Sequence, residues 1–206
     1  KESISLSPIG SVYLHDFFHI YWMSSDGALI VVTISKLFKG IEESRYHPKI
    51  LNRFQGNPII EPRHGHDDWE GEGTFNPAVV EDDEGIIHLL YRALGRDGIS
   101  RVGYAQSKDG MHFTKRSAFP VFEPSMGFGL PDPDKVTGPI GYHPAIYTSG
   151  GGWGGAEDPR AVRIGDTVFM TYVAFEGWNS VRIAMTSISI DDFKAGRWHW
   201  KKPVLL

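Results

Sequence analysis

The sequence predicts an all-β protein built from repeated units of about four strands each, the arrangement found in the blades of a β-propeller. One series of short apolar strands and turns occurs twice in the same order. The chain is rich in turn-forming and aromatic residues, with 24 Gly, 13 Pro, 6 Trp, 8 Tyr and 12 Phe. Asp-Gly pairs separate alternating runs, which is a strong local signal for hairpins. A β-sandwich in which similar hairpins recur by chance is the alternative.

Composition excludes several classes of function. The net charge of -4 provides no basic surface for nucleic acid. The absence of cysteine excludes disulfides and thiolate metal sites, and it fits a cytoplasmic protein. The most apolar stretch, residues 28–34, is far shorter than the ~20 residues that a membrane span requires, and no signal peptide is visible. We therefore expect neither nucleic acid nor a membrane as a partner.

Residues 1–55 form an N-terminal segment whose structure the pattern leaves open. Apolar and aromatic runs cover residues 16–23 and 28–37, with Ser-Ser-Asp-Gly between them. Two strands joined by that turn is one interpretation, and a helix over residues 32–43 is the other. Residues 56–206 are predicted to form a partial propeller domain.

The first clear repeat unit starts after the Gly-Glu-Gly turn at residues 71–73. Strands are predicted for residues 74–80, 86–93, 99–107 and 111–115. The turns between them are rich in Gly and Asp, the residues that turn backbones favour. This spacing gives one four-stranded blade.

The same pattern then returns as a second unit. Asp158-Pro159 stands where Asn76-Pro77 stood, and residues 168–174 repeat residues 88–93. Most of the excess length between the units is one insertion, residues 125–156. Two further segments recur, residues 107–113 as residues 187–193 and residues 120–124 as residues 203–206.

Asp158 is the strongest candidate for a catalytic acid. The innermost strands of a propeller line its central channel, so Asn76 and Asp158 are expected to face one cavity from neighbouring blades. Asp158 follows the glycine-rich residues 150–155, and a partly dry setting favours the protonated form of a carboxyl group. The alternative is structural: Asp158 caps a turn or forms an ion pair with Arg160.

Four arginines are candidates for binding a ligand. Arg92 interrupts an apolar strand where the second unit has Val173, so the repeat itself does not require the charge. Arg101 and Arg182 are equivalent to each other, which fits a structural role as well as a ligand role. Arg160 lies two residues after Asp158. Guanidinium groups bind oxyanions through paired hydrogen bonds, and phosphate suits them best.

Two tryptophans are candidates for stacking on a sugar ring, since an apolar ring matches the C–H face of a pyranose. Trp153 lies among glycines, which argues against a purely structural role. For Trp178, core packing is the equal alternative.

No metal site is expected. One polar loop carries several possible ligands, but their spacing matches no recognised ligand pattern, and solvated side chains are the simpler interpretation. Its members are His64, His66, Asp67, Asp68 and Glu70. Residues 131–134, Pro-Asp-Pro-Asp, are predicted to form a rigid loop.

Five motifs, taken together in this order, resemble a known family. They are Asn57–Ile60, Phe75–Ala78, Leu90–Ala93, Ile99–Ala105 and Glu157–Arg160. This set resembles glycoside hydrolase family 130, the β-mannoside phosphorylases and related β-mannosidases, over about residues 56 to 206.

The resemblance implies a five-bladed β-propeller, of which two to three blades lie in this chain. It implies inverting phosphorolysis, in which a β-mannoside and phosphate give α-mannose 1-phosphate, without a cofactor. Asp158 matches the family's general acid, which protonates the leaving oxygen through a mannose hydroxyl. Asn76 and Arg92 match sugar-site positions, and the other arginines (101, 160 and 182) are assigned to the sugar or phosphate region.

The resemblance leaves two rival functions open. One is a β-mannosidase that uses water in place of phosphate, and the other is a carbohydrate-binding remnant without catalysis. Family members are longer, so a truncated and inactive enzyme is also implied, because further phosphate-binding residues come from later blades. A cytoplasmic location is expected, since export of a phosphorylated product would waste it. The acceptor sugar and any homo-oligomer stay open.

Overall fold

The structure is a computed structural model that describes residues 6–14, 17–24, 29–35, 52–65, 69–177 and 180–206. Within these ranges the regular secondary structure is almost entirely β, with one short α-helix and one short 3-10 helix. Twelve of the fourteen described strands form three antiparallel units of four strands each, and the other two form a short parallel pair. The predicted all-β fold class is therefore confirmed.

The N-terminal unit is a meander of strands in sequence order. It contains β1 (Leu6–Leu14), β2 (Phe17–Ser24), β3 (Leu29–Ser35) and β4 (Asn52–Arg53). Each strand pairs antiparallel with the next one. The two-strand interpretation of this segment is confirmed. A helix starting at residue 32 is wrong, because residues 32–35 lie in β3; residues 36–43 lie outside the described residues.

The four strands that follow the N-terminal unit form the first of the two predicted repeat units. This unit contains β5 (Gly73–Glu81), β6 (Ile87–Leu94), β7 (Ile99–Ser107) and β8 (Phe113–Arg116). The insertion that follows contains β9 (Ser125–Met126), β10 (Gly129–Leu130) and a 3-10 helix (Pro133–Lys135). The third unit contains β11 (Gly154–Ile164), β12 (Thr167–Phe175), β13 (Val181–Ser189), α1 (Ile190–Lys194) and β14 (Val204–Leu205).

The two repeat units join where the first residues of β11 pair with the first residues of β7. The strand order is β14-β13-β12-β11-β7-β6-β5, with β8 on the other side of β7. β11 and β7 are parallel where Gly155 pairs with Ser100. A Cβ on Gly155 would lie 2.3 Å from the Ser100 backbone nitrogen, so only glycine allows this approach. The first strands of the two units, β5 and β11, consequently lie against each other.

The registers confirm the predicted repeat. Ala93 pairs with Arg101 in one unit, and Ala174 pairs with Arg182 in the other. One segment differs from its counterpart. Residues 190–194 form α1 at the place where the repeat predicts a counterpart of β8. The helix begins there because the Ser189 side chain accepts a hydrogen bond from the Asp192 N–H and so caps it.

The main core lies between the two repeat units. It includes Leu90 and Val102 from one side and Met170 and Tyr172 from the other, with Phe193 of α1 fully buried beside them. A second cluster, around Leu89 and Tyr91, covers the opposite face of β6. Since both faces of β6 are covered, every residue of that strand is buried. This rigid strand carries Arg92.

Candidate active site

Asn76 and Asp158 occupy equivalent distortions in the first strands of the two repeat units. Each lies in a β-bulge and is followed by proline. Their φ angles are 44° and 51°, in the left-handed region that residues other than glycine rarely adopt. A bulge changes the direction of a side chain, and strained backbone is concentrated at functional sites. The two bulges turn these side chains toward each other.

One oxygen of the Asp158 carboxyl group is held by two donors. Asn76 Nδ2 donates to Asp158 Oδ1 at 2.5 Å, and Arg92 Nη1 lies 3.4 Å from the same oxygen. Oδ2 accepts no hydrogen bond from the other described residues. The Asp158 side chain is 33% exposed. The carboxyl group is therefore fixed through one oxygen, while the other is free to act on a ligand.

Arg92 is held by a buried network behind Asp158. Its Nη2 donates to Glu157 Oε1 at 2.6 Å and to the Ser149 carbonyl at 3.0 Å, and its Nε donates to Ser100 Oγ at 2.9 Å. The guanidinium carbon also lies 5.1 Å from the centre of the Phe75 ring. Because its donors are fixed in this way, the Arg92 side chain has little freedom to move.

Glu157 is the buried partner of this arginine. Ser149 Oγ donates to Glu157 Oε2 at 2.8 Å. Burial raises the pKa of Glu157, because a charged carboxylate is costly in a low-dielectric interior. Arg92 acts in the opposite direction and lowers that pKa, while the neighbouring Asp158 raises it further. A buried ion pair of this kind sets geometry more than it adds stability.

Arg101 and Arg182, at equivalent positions in the repeats, are each neutralised by nearby acids. Arg101 Nη2 donates to Asp97 at 2.6 Å, and Arg182 Nη2 donates to Glu176 at 2.9 Å. In both units the acid belongs to the hairpin that precedes the arginine. The structure does not bring either arginine into contact with Asp158.

Arg160 is exposed and donates to the Pro159 carbonyl at 2.8 Å. It has no carboxylate partner among the described residues, so the suggested pair with Asp158 does not form.

Trp153 is buried, and its Nε1 donates to the Asp97 carbonyl at 2.6 Å. Trp178 lies outside the described residues.

Three side chains of this network were not predicted as site residues from the sequence: Ser100, Ser149 and Glu157. Glu157 precedes Asp158 in the quoted motif, so its place beside the candidate acid is the sequence signal that could have found it. Ser149 belongs to the insertion and carries no local signal, since its contacts join residues far apart in the chain.

The predicted polar loop is only partly described. His66, Asp67 and Asp68 lie outside the described residues. In the part of the chain that the structure covers, no three His, Asp or Glu side chains are arranged to hold a metal ion.

None of the described helices is long and apolar enough to cross a membrane.

Two curated proteins from Thermoanaerobacter sp. (strain X514) are similar to this chain. A β-1,2-mannobiose phosphorylase is 30% identical over 164 residues, which are 72% of this chain and 45% of the relative. A 1,2-β-oligomannan phosphorylase is 31% identical over 132 residues, 61% of this chain and 36% of the relative. The chain thus spans less than half the length of these relatives. No protein-family model matches it.

Solved structures share the fold. A candidate glycoside hydrolase from Parabacteroides distasonis superposes with a TM-score of 0.51 at 30% identity, over 73% of this chain and 40% of that one. An endo-1,4-β-xylanase from Bacteroides thetaiotaomicron superposes with a TM-score of 0.55 over 96% of this chain and 57% of that one. At 14% identity the second match shows the fold alone.

The repeated four-stranded units and these matches define the class of protein: it has the propeller fold of the glycosidases, with two to three blades present in this chain. The two curated relatives give a narrower likeness. The chain is related to the β-mannoside phosphorylases, and the resemblance to glycoside hydrolase family 130 is confirmed.

Proposed function

We propose that this chain contributes the general acid of an active site that cleaves β-mannosides with phosphate and releases α-mannose 1-phosphate. The observation that carries the proposal is the fixed carboxyl group of Asp158. Its Oδ1 is held by Asn76 and Arg92, and its Oδ2 is free to serve a substrate. The names of the two similar phosphorylases supply the sugar and the co-substrate.

In the proposed reaction Asp158 acts as the general acid. Its proton passes through a hydroxyl of the bound mannose to the leaving glycosidic oxygen, and the bond from that oxygen to the anomeric carbon breaks. A phosphate oxygen attacks the opposite face of the anomeric carbon and forms the new bond, which inverts the configuration. Phosphate takes the place of the water and general base of an ordinary inverting glycosidase.

Arg92 and Glu157 serve Asp158 as positioning residues. Because Glu157 neutralises the guanidinium charge, Arg92 acts on Asp158 as a fixed hydrogen-bond donor and not as an uncompensated cation. The network holds Asp158 in place before a substrate arrives, so no reorganisation is required during the reaction.

Among the candidate arginines, Arg160 is best suited to meet phosphate. It is exposed, lies two residues from the acid, and has no carboxylate partner among the described residues. Arg101 and Arg182 are each paired with an acid, and binding an oxyanion would require breaking those pairs. We therefore assign Arg160 to phosphate binding, and we assign no phosphate-binding role to Arg101 or Arg182.

The proposal is tested with Asp158→Asn, which removes the acid at constant size. With a β-linked mannobiose and inorganic phosphate, ³¹P NMR should show mannose 1-phosphate formation falling about 10²- to 10⁴-fold, the contribution typical of general acid catalysis. Asp166→Asn changes an exposed turn aspartate of the same strand pair and should leave the rate unchanged.

Three results would count against the proposal. Free mannose released without phosphate would indicate a hydrolase. An unchanged rate in Asp158→Asn would remove the assigned acid. Binding of the mannobiose without turnover would indicate a carbohydrate-binding protein.

A further inference from the structure

A cavity of about 660 Å³ lies away from Asp158, between the insertion and the hairpin that joins β12 to β13. Its walls include Leu130 and Pro131 from the insertion, Trp153 before β11, and Phe175 at the end of β12. Neither Asn76 nor Asp158 lines it. A volume of this size falls in the range of small-molecule sites, which are mostly apolar with a few placed polar groups.

The charged groups that line the cavity neutralise each other. Arg182 pairs with Glu176 at 2.9 Å, and Lys135 pairs with Asp132 at 2.9 Å. With two cations matched by two acids, the cavity has no net charge to attract an ionic ligand. Three residues that carry hydroxyl groups also line it: Thr137, Ser180 and Tyr147. This mixture of aromatic surface, hydroxyl groups and paired charges suits a neutral ligand rich in hydroxyl groups.

One donor at the cavity lacks an acceptor. The Nε atom of Arg182 is buried and has no hydrogen-bond partner among the described residues. A buried donor without a partner is costly, so a small shift of the 37% exposed Arg182 side chain that brings Nε to an acceptor on a ligand would be favourable. A sugar hydroxyl is an acceptor of suitable size.

We propose that this cavity is a sugar-binding subsite, distinct from the site at Asp158, that holds part of a neutral oligosaccharide. The choice of a mannoside as the oligosaccharide rests on the proposed function. The same short segment forms both sites, because Tyr147 and Trp153 line the cavity while Ser149, between them, holds Arg92 and Glu157. An occupied subsite therefore supports the segment that positions the acid.

The chain supplies a matched control for Arg182. Arg101 occupies the equivalent position of the first repeat unit and is also paired with acids, but it does not line the cavity. Arg182→Leu and Arg101→Leu thus remove the same group from equivalent strands. Only the first change reaches the proposed subsite.

The experiment measures binding of a β-linked mannotriose by isothermal titration calorimetry, with all variants made in the Asp158→Asn chain so that the sugar stays intact. Arg182→Leu should weaken binding at least about tenfold, since hydrogen bonds to charged groups are among the stronger ones. Arg101→Leu should bind like its parent. Thr137→Trp, at an exposed lining position, should also weaken binding by filling part of the cavity, without breaking an ion pair.

Unchanged mannotriose affinity in both Arg182→Leu and Thr137→Trp would overturn the subsite. Inorganic phosphate that binds to the parent and is lost in Arg182→Leu would overturn it as well, because the cavity would then be an anion site. Neither result tests the assignment of Asp158 as the general acid. That assignment fails if turnover is unchanged in Asp158→Asn. The two proposals can therefore fail separately.

Discussion

Replacing Arg92 by methionine should destabilise the protein strongly and in a pH-dependent way. The change leaves Glu157 buried without its cation, and removing one partner of a buried ion pair costs about 3–5 kcal/mol. That loss is a large part of the 5–15 kcal/mol by which native proteins are typically stable. Urea unfolding, followed by tryptophan fluorescence at pH 5 and pH 8, measures it.

The sign of the pH dependence follows from Glu157. Its pKa is raised in the folded protein, so the native state holds its proton more tightly, and stability falls as pH rises between the unfolded and folded pKa values. Without Arg92 that pKa rises further, so the loss continues to higher pH. Arg92→Met should therefore be more destabilised at pH 8 than at pH 5.

Glu157→Gln provides the control for this reasoning. Glutamine cannot ionise, so the Arg92→Met, Glu157→Gln double variant should lose the added pH dependence and should be more stable at pH 8 than Arg92→Met alone. If Arg92→Met loses the same free energy at both pH values, or if the double variant is no more stable, Glu157 does not carry the buried charge that we infer.

Two further predictions concern the backbone. Asn76→Ala and Asn76→Gly both remove the donor to Asp158, but only alanine is strained at a φ of 44°, so the glycine variant should be about 1 kcal/mol more stable in urea unfolding; equal stabilities would argue against strain. Gly155→Ala places a Cβ against the Ser100 backbone and should cost more than about 3 kcal/mol. Gly165→Ala, also at positive φ but with no atom within 4 Å, should cost about 1 kcal/mol by thermal unfolding; similar losses would show that close approach does not matter at Gly155.

The amino-acid sequence by itself determined the strands, the turns and the repeat. Alternation within a strand and Gly-rich turns are local properties, so they can be read without knowing the fold. The equivalence of residues 76–77 and 158–159 is visible in the same way, and the ladders place both pairs at matching bulges. A local pattern could not show that residues 190–194 form a helix, because the Ser189 cap and the burial of Phe193 decide that segment.

The partners of the charged side chains were decided only by the tertiary structure. Arg92 and Glu157 are 65 residues apart in sequence, yet they form the buried pair behind Asp158. Arg101 and Arg182 resemble ligand residues in the sequence, but the hairpin acids neutralise them. The cavity beside Arg182 likewise exists only where the insertion folds over the second repeat unit. Sequence spacing sets the face of a strand on which a side chain lies, whereas its partner depends on which distant strand the fold brings opposite.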